Sequence, residues 1–264
     1  MKARVRRKKV VYANMELFLY TMQQLLEMPF NTPLYNLLDT FEGWADRNGL
    51  LRRGHRLEAA GLLESDGSDL KKKVFRMTEK GRVLALGGVD PAVYWNSQWD
   101  GLWRMVSFDF PESMRTLRRQ LRDALREHHF GHLQDSLWVT PHNLGKELLG
   151  GGAEVDSLGN FVVVEARFKD GARDQDVVEE AWDFEKINKL YERHAKHLAK
   201  LPGNGATVET LQKWAQAEME RWHEIVIADP FLPAKLLPHG YAGKKAWANR
   251  LATLKKFGKL MMKR

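Results

Sequence analysis

Trp103–Phe110, WRMVSFDF, followed by Pro111 and an arginine-rich run of helical period, constrains this chain more than any other stretch. Eight β-prone, largely apolar residues holding one acid, Asp109, predict a strand. Pro111 stops it, because proline brings no ladder donor and its fixed φ suits a first helical turn. Glu112 then stands at the positive end of the helix dipole. Met114, Leu117, Leu121 and Leu125, with Ala124, recur at three- and four-residue spacing and predict one apolar stripe. Arg115, Arg118, Arg119, Arg122 and Arg126 take the remaining faces. Phe130-Gly131 reads as the helix end, and Leu137–Thr140 as a second strand closed by Pro141. A strand, a crossing helix and a returning strand predict the first half of a ferredoxin-like split βαβ unit.

WRMVSFDFPE, the helix after it and LQDSLWVTPHN resemble the middle domain of the PaaX-type repressors, which control phenylacetate degradation in bacteria. The same pattern is similar to the small CRISPR adaptation endonucleases, whose first strand likewise ends in Asp. One fold thus carries two expectations, a regulator and a nuclease, and the remaining chain decides between them.

A chain of 264 residues accommodates two or three modest domains. No run of about 18 apolar residues occurs, so no transmembrane helix is expected. The basic N-terminus lacks a following apolar core and is not read as a secretory signal. Without Cys, disulfides and thiolate metal sites are excluded, which fits a cytoplasmic protein. The net charge of +8 is unevenly placed. Residues 1–98 carry 16 Lys+Arg against 11 Asp+Glu, residues 99–182 carry 10 against 15, and residues 183–264 carry 16 against 8. A basic front and a basic end around an acidic middle point to nucleic acid as a partner.

Residues 2–9, KARVRRKK, hold six cations and read as a basic arm for phosphate contacts. Asn14 is the expected cap of a helix from Met15 to about Met28, and a second short helix follows Pro33. Arg47–Ala60, RNGLLRRGHRLEAA, reads as a third helix with Leu50, Leu51 and Leu57 facing the core. Arg47, Arg52, Arg53, His55 and Arg56 then project outward. Gly61–Glu64 begins a strand, Ser65–Ser68 turns it, Lys73–Met77 returns, and Thr78–Arg82 opens a short helix. Three helices and a two-stranded wing describe a winged helix-turn-helix. Its third helix would enter the major groove, and Lys71, Lys72 and Lys73 on the hairpin would reach the backbone. RLEAAGLLE, the hairpin and MTEKGRVL also resemble the N-terminal domain of the PaaX family.

Gly87–Pro91 reads as a linker. Gly150-Gly151-Gly152 lacks the Lys-Ser/Thr and the preceding buried strand of a phosphate loop and reads as a turn. Phe161–Phe168, FVVVEARF, is the clearest later strand. From Asp174 the chain becomes helical through AWDFEKINKLYERHAKHLAKL. His194 and His197 share a face at i, i+3, but no HExxH pattern or third ligand accompanies them, so no metal site is assigned. Thr207 is the expected cap of a helix bearing Leu211, Trp214, Met219, Trp222 and Ile225, aromatics that read as core or dimer contacts. IADPFLPAKLLPHGYAGKKAW resembles the C-terminal signature of the same repressors through Asp229-Pro230, Leu232-Pro233, Leu236-Leu237-Pro238 and Gly243. A last helix carries Trp247, Leu251, Leu254 and Phe257 with four lysines.

The expected fold is therefore α+β, with a basic arm at 1–13 and a winged helix-turn-helix at 14–90. A ferredoxin-like domain similar to the CRISPR adaptation endonucleases follows at 96–175, and a helical C-terminal domain for dimerisation and effector binding at 176–264. The resemblance implies a dimeric repressor of double-stranded operator DNA, released by an acyl-CoA effector. The basic, Trp-rich residues 183–264 offer cations for phosphates and apolar surface for an acyl group. The alternative is a metal-dependent nuclease built on Asp109, whose structural reading is a cap for the following helix or a partner for a nearby Arg. Neither an enzyme nor a bound cofactor is expected.

Overall fold

The computed structural model describes residues 57–66, 74–85, 87–143, 161–168 and 172–262. The chain divides into two units, one of residues 1–90, 200–219 and 250–264, the other of residues 91–199 and 220–249.

In the first unit, Leu57–Ala59 is helical and stops in a turn its sequence dictates. Gly61 takes φ +69°, where a Cβ is penalised. Its N–H donates to Glu58 O at 2.9 Å, while Leu62 N–H donates to Leu57 O at 2.8 Å. This paired pattern is a Schellman cap, closed by contact between its two flanking apolar residues, and Leu57 and Leu62 are both buried. Strands β1 (Leu63–Asp66) and β2 (Val74–Met77) pair antiparallel, with Leu63 opposite Met77 and Asp66 opposite Val74. Thr78 then caps α1 (Glu79–Ala85) by accepting from Gly81 N–H at 3.0 Å. The same hydroxyl donates to Gly61 O at 2.8 Å. A second Schellman pair ends α1, Gly87 N–H to Leu84 O and Gly88 N–H to Val83 O. The two strands and the short helix lie where expected, with one difference: Ser65 and Asp66, read as the start of the turn, belong to β1 and pair with Phe75 and Val74. The expected basic arm, the first two expected helices and all of the expected third before Leu57 lie outside the described residues.

The second unit opens with α2 (Pro91–Trp95) and β3 (Trp103–Phe108). A 3-10 turn at Glu112–Met114 leads into α3 (Arg115–Glu127), followed by β4 (Gly131–Gln134), β5 (Leu137–Thr140) and β6 (Phe161–Ala166). The sheet is antiparallel with order β4-β5-β3-β6. In chain order that is second, third, first, fourth, the order of a ferredoxin-like sheet; the connection from β5 to β6 runs through 144–160, outside the described residues. The strand that returns parallel to β3 is Gly131–Gln134, and Leu137–Thr140 is the third strand, inserted between the two. GHLQ carries no apolar alternation and its ladder is irregular between His132 and Gln134, so periodicity could not find it.

Alternation along β3 divides the packing. Val106 and Phe108 join Phe110, Leu125, Phe130 and Trp138 in a core completed by Met114, Leu117 and Leu121 of α3, the stripe the spacing predicted. On the opposite face Trp103 and Val139 are fully buried, beneath α4 (Ala172–Ala181). The Trp103 indole donates to Asp174 Oδ1 at 2.8 Å. Gly131 lies so close to α4 that a Cβ would meet the Trp182 ring at 2.5 Å.

The helical run from Asp174 is broken where the sequence suggested continuity. Asp183 caps α5 (Phe184–Leu198) by accepting from Lys186 N–H at 2.8 Å, a local competition with helix that Asp makes well. Helix α6 (Val208–Ala228) begins after Thr207, whose hydroxyl accepts from Thr210 N–H at 3.2 Å, the expected cap. A 3-10 turn at Ala234–Leu236 precedes α7 (Gly243–Met262). Within the first unit, α6 and α7 stack Trp214 on Phe257 at 5.4 Å. They also bury the Glu218–Arg250 pair completely, with Arg250 Nε donating to Glu218 Oε1 at 2.7 Å. Within the second, Trp222 stacks on Trp247 at 5.1 Å. No helix among the described residues is long and apolar enough to cross a membrane.

Candidate nucleic-acid interface and the buried carboxylate junction

Arg47, Arg52, Arg53, His55, Arg56, Lys71, Lys72 and Lys73, the expected DNA contacts, all lie outside the described residues. What the structure supplies is the frame beside them. The turn at Gly61 is tied to α1 by three bonds: the Thr78 hydroxyl to Gly61 O, Thr78 N–H to Leu62 O at 3.1 Å, and Lys80 Nζ to Ala60 O at 3.2 Å.

Asp109 sits just past β3 and is exposed. Neither expected structural role is present. The 3-10 turn is flanked by Pro111 with no side-chain cap, and Asp109 pairs with no described Arg. Arg118 instead donates to Phe110 O and approaches Glu112 at 3.5 Å, which holds the strand-to-helix corner without Asp109. No group of three His, Cys, Asp or Glu that could hold a metal occurs among the described residues. His194, one of the expected helical pair, is fully buried and packs on Trp222 at 5.6 Å.

The unexpected site is Asp229. Where α6 ends, the chain turns through Asp229-Pro230-Phe231, with Phe231 at φ +47°. Asp229 is 1% exposed. Its Oδ2 accepts from the hydroxyls of Tyr191 at 2.6 Å and Tyr241 at 2.7 Å, and its Oδ1 accepts from Phe231 N–H at 2.7 Å. Burial pushes the carboxyl up to about 6, against the pull of these donors. Burial, with the adjacent carboxylate, pushes both phenols upward, so they remain donors at any ordinary pH. Gly243 makes this possible, since a Cβ there would lie 2.2 Å from the Tyr241 hydroxyl.

Two imidazoles from the sheet's loops border the same turn. His142 Nε2 lies 2.8 Å from Pro230 O. A carbonyl only accepts, so Nε2 carries the proton. His129, at φ +62°, packs its ring against Phe231 at 5.4 Å. Burial, then the neighbouring His142, lowers His129 to about 4, and burial lowers His142 as well. Tyr94 closes the group, edge-on to His142 at 5.1 Å. The arrangement clamps the turn after α6 onto the loops of the sheet. Sequence reasoning saw Asp229-Pro230 only as part of a signature; an acid in the otherwise apolar IADPFLP was the available sign of burial.

The tryptophans of residues 183–264, expected to offer apolar surface to an acyl group, are core side chains. Trp182, Trp214, Trp222 and Trp247 are all at least nine-tenths buried. The cleft at the α4–α5 break is lined by Glu179, Glu180, Asp183 and Glu185 with Trp182 and Phe184, the wrong sign for phosphates.

No curated protein matches the chain. Among solved structures it is similar to the uncharacterized protein Rv0674 from Mycobacterium tuberculosis, at 22% identity and a TM-score of 0.51, over 81% of this chain and 82% of that one. That likeness concerns the fold. The family model for the PaaX protein central Cas2-like domain matches residues 96–178, and the model for the PaaX-like protein C-terminal domain matches residues 182–256. The first spans the four-stranded sheet with α3 and the second spans the Asp229 junction with both tyrosines; with these two domains in sequence, the chain belongs to the PaaX family.

Proposed function

We propose that this chain is a DNA-binding transcriptional regulator, a dimeric repressor released from its operator by an acyl-CoA. The observation that carries the reading is the succession of the two PaaX domains over residues 96–256. The described hairpin and capped helix at 63–85 agree with a winged helix-turn-helix at 14–90, where Arg47, Arg52, Arg53, His55 and Arg56 read bases and Lys71, Lys72 and Lys73 contact phosphates. The helical domain at 176–264, following the ferredoxin-like domain at 96–175, then carries dimerisation and the effector. The nuclease alternative is not favoured, because among the described residues Asp109 has no companion acids of the kind a metal clamp requires.

Sequencing the genomic fragments that the purified protein retains tests the regulator. A shared motif in the retained set is expected, and retention without any sequence preference refutes it. For the effector, an acyl-CoA acts only through preferential binding to the conformation that does not fit the operator. Moving a population from about 99% competent to about 1% takes a preference of roughly 10⁴-fold, about 5.5 kcal/mol. Aryl- and alkyl-CoA esters titrated against labelled operator at fixed ionic strength should include one that lowers affinity where free CoA and free acid do not.

A further inference from the structure

Helix α3 carries five arginines, and their placement opposes the helix's own stability. At about 100° per residue, Arg115, Arg118, Arg119, Arg122 and Arg126 fall within roughly 100° of arc beside the buried stripe. The i, i+4 pairs Arg115/Arg119, Arg118/Arg122 and Arg122/Arg126 are like-charged, an arrangement that destabilises an isolated helix. Arg115 opens the helix and no acid stands in its first turn, so cations face the positive end of the dipole. Other helices of the molecule do the reverse: Glu185 pairs with Lys189 on α5, and Glu209 with Lys213 on α6. A surface evolved only for solvation would look like those.

The row is also held in place. Arg118 is fixed by Phe110 O and Glu112. Arg126 lies over the Trp138 ring at 5.3 Å and meets Asp123 at 3.3 Å. Arg122 is half-buried, its Nε without a hydrogen-bond partner. Arg115 and Arg119 are exposed and pair with no described residue. From Arg115 to Arg126 the row runs about 16 Å along the axis. One DNA strand presents a phosphate about every 3.4 Å of axis, so the row faces roughly four or five of them. A compact anion would call for cations converging on a hollow, whereas a line of guanidinium groups on a convex helix matches a linear polyanion.

We infer that the arginine row of α3 is a second, sequence-independent contact surface for the phosphate backbone of duplex DNA, carried by the central domain rather than the N-terminal one. The inference takes its partner from the regulator reading. Its test uses the full chain, a labelled non-operator duplex and a salt titration. Arg115→Gln/Arg119→Gln should lower the salt slope by about 2, at roughly 0.9 per lost contact, and weaken non-specific binding about tenfold or more at low salt. Arg115→Lys/Arg119→Lys should keep the wild-type slope, and the Gln variant should melt no lower than wild type, since it relieves like-charge repulsion on the helix. A Gln variant with wild-type slope and affinity overturns the inference and leaves the regulator reading standing. A Lys variant that falls with the Gln variant also overturns it, since phosphate contact needs the charge. A wild type that binds no duplex at all overturns both.

Discussion

Asp229→Asn and His129→Asn, made separately, should tilt the pH dependence of stability in opposite directions. Asp229 has a folded pKa of about 6 against an ordinary 3.8. Between those values the folded chain holds a proton that the unfolded chain has released. Its stabilising contribution is complete below the unfolded value and lost as pH rises through the folded one. His129 runs the other way, at about 4 folded against 6.5. There the unfolded chain binds the extra proton, so stability is complete above the unfolded value and lost as pH falls through the folded one. Each shift of roughly two units corresponds to about 3 kcal/mol. In the wild type the two contributions oppose each other across about pH 4–6, with His142 acting in the sense of His129. Relative to wild type, Asp229→Asn should gain about 3 kcal/mol as pH rises through that window, and His129→Asn should lose about as much. Asn tolerates the positive φ at 129, which keeps the backbone out of the comparison. Thermal unfolding from pH 4 to 7 at fixed ionic strength reads this as about 6–12 °C of divergence between the variants and wild type. Curves parallel to wild type for both variants would refute the burial argument.

Other perturbations reach other parts of the molecule. Gly243→Ala drives a methyl group into Tyr241 and should cost about 1–3 kcal/mol; with Tyr241→Phe it should be less than additive by a melting double-mutant cycle, since either change removes the same bond to Asp229. Arg250→Met removes the guanidinium that faces the fully buried Glu218 carboxylate, an expected loss of about 3–5 kcal/mol that Arg250→Met/Glu218→Leu should largely recover in the same melts. Asp174→Ala strands the Trp103 indole N–H and should cost about 1–3 kcal/mol in chemical denaturation. For DNA, Ala at Arg52, Arg53 or Arg56 should cost about 1–3 kcal/mol with relaxed site preference, whereas Lys71→Ala should flatten the salt slope by about one unit; affinity measured on operator and scrambled duplexes would expose a reversal of the two roles.

What the sequence disclosed was chemistry that acts locally. Gly61 and Thr78 mark the ends of helical segments through bonds made within a few residues, so the hairpin between them could be bounded. The apolar stripe of α3 and the run of β3 were legible for the same reason. What escaped reading depends on distant partners. Gly131 begins a strand because its neighbours across the sheet and α4 leave room for nothing larger, and GHLQ does not announce that. Asp183 interrupts a helical pattern whose apolar period continues through it. Asp229 takes its donors from Tyr191, 38 residues earlier, and Tyr241, 12 residues later. Asp109 shows the reverse error: a local capping rule was available, but Arg118 took over that corner.

The knot between Gly61, Leu62 and Thr78 has a consequence for how such a module changes over time. Because both feet of the hairpin are lashed to the same two helix ends, the chain between Asp66 and Val74 can lengthen, shorten or exchange charge without transmitting a shift to either foot. Under the proposed DNA-binding reading, grip and choice of site are therefore separately tunable: a foreign segment grafted between Asp66 and Val74 should alter how firmly the chain grips any duplex while leaving its choice of site unchanged. New specificities in this lineage would then accumulate on one side of the knot and new affinities on the other.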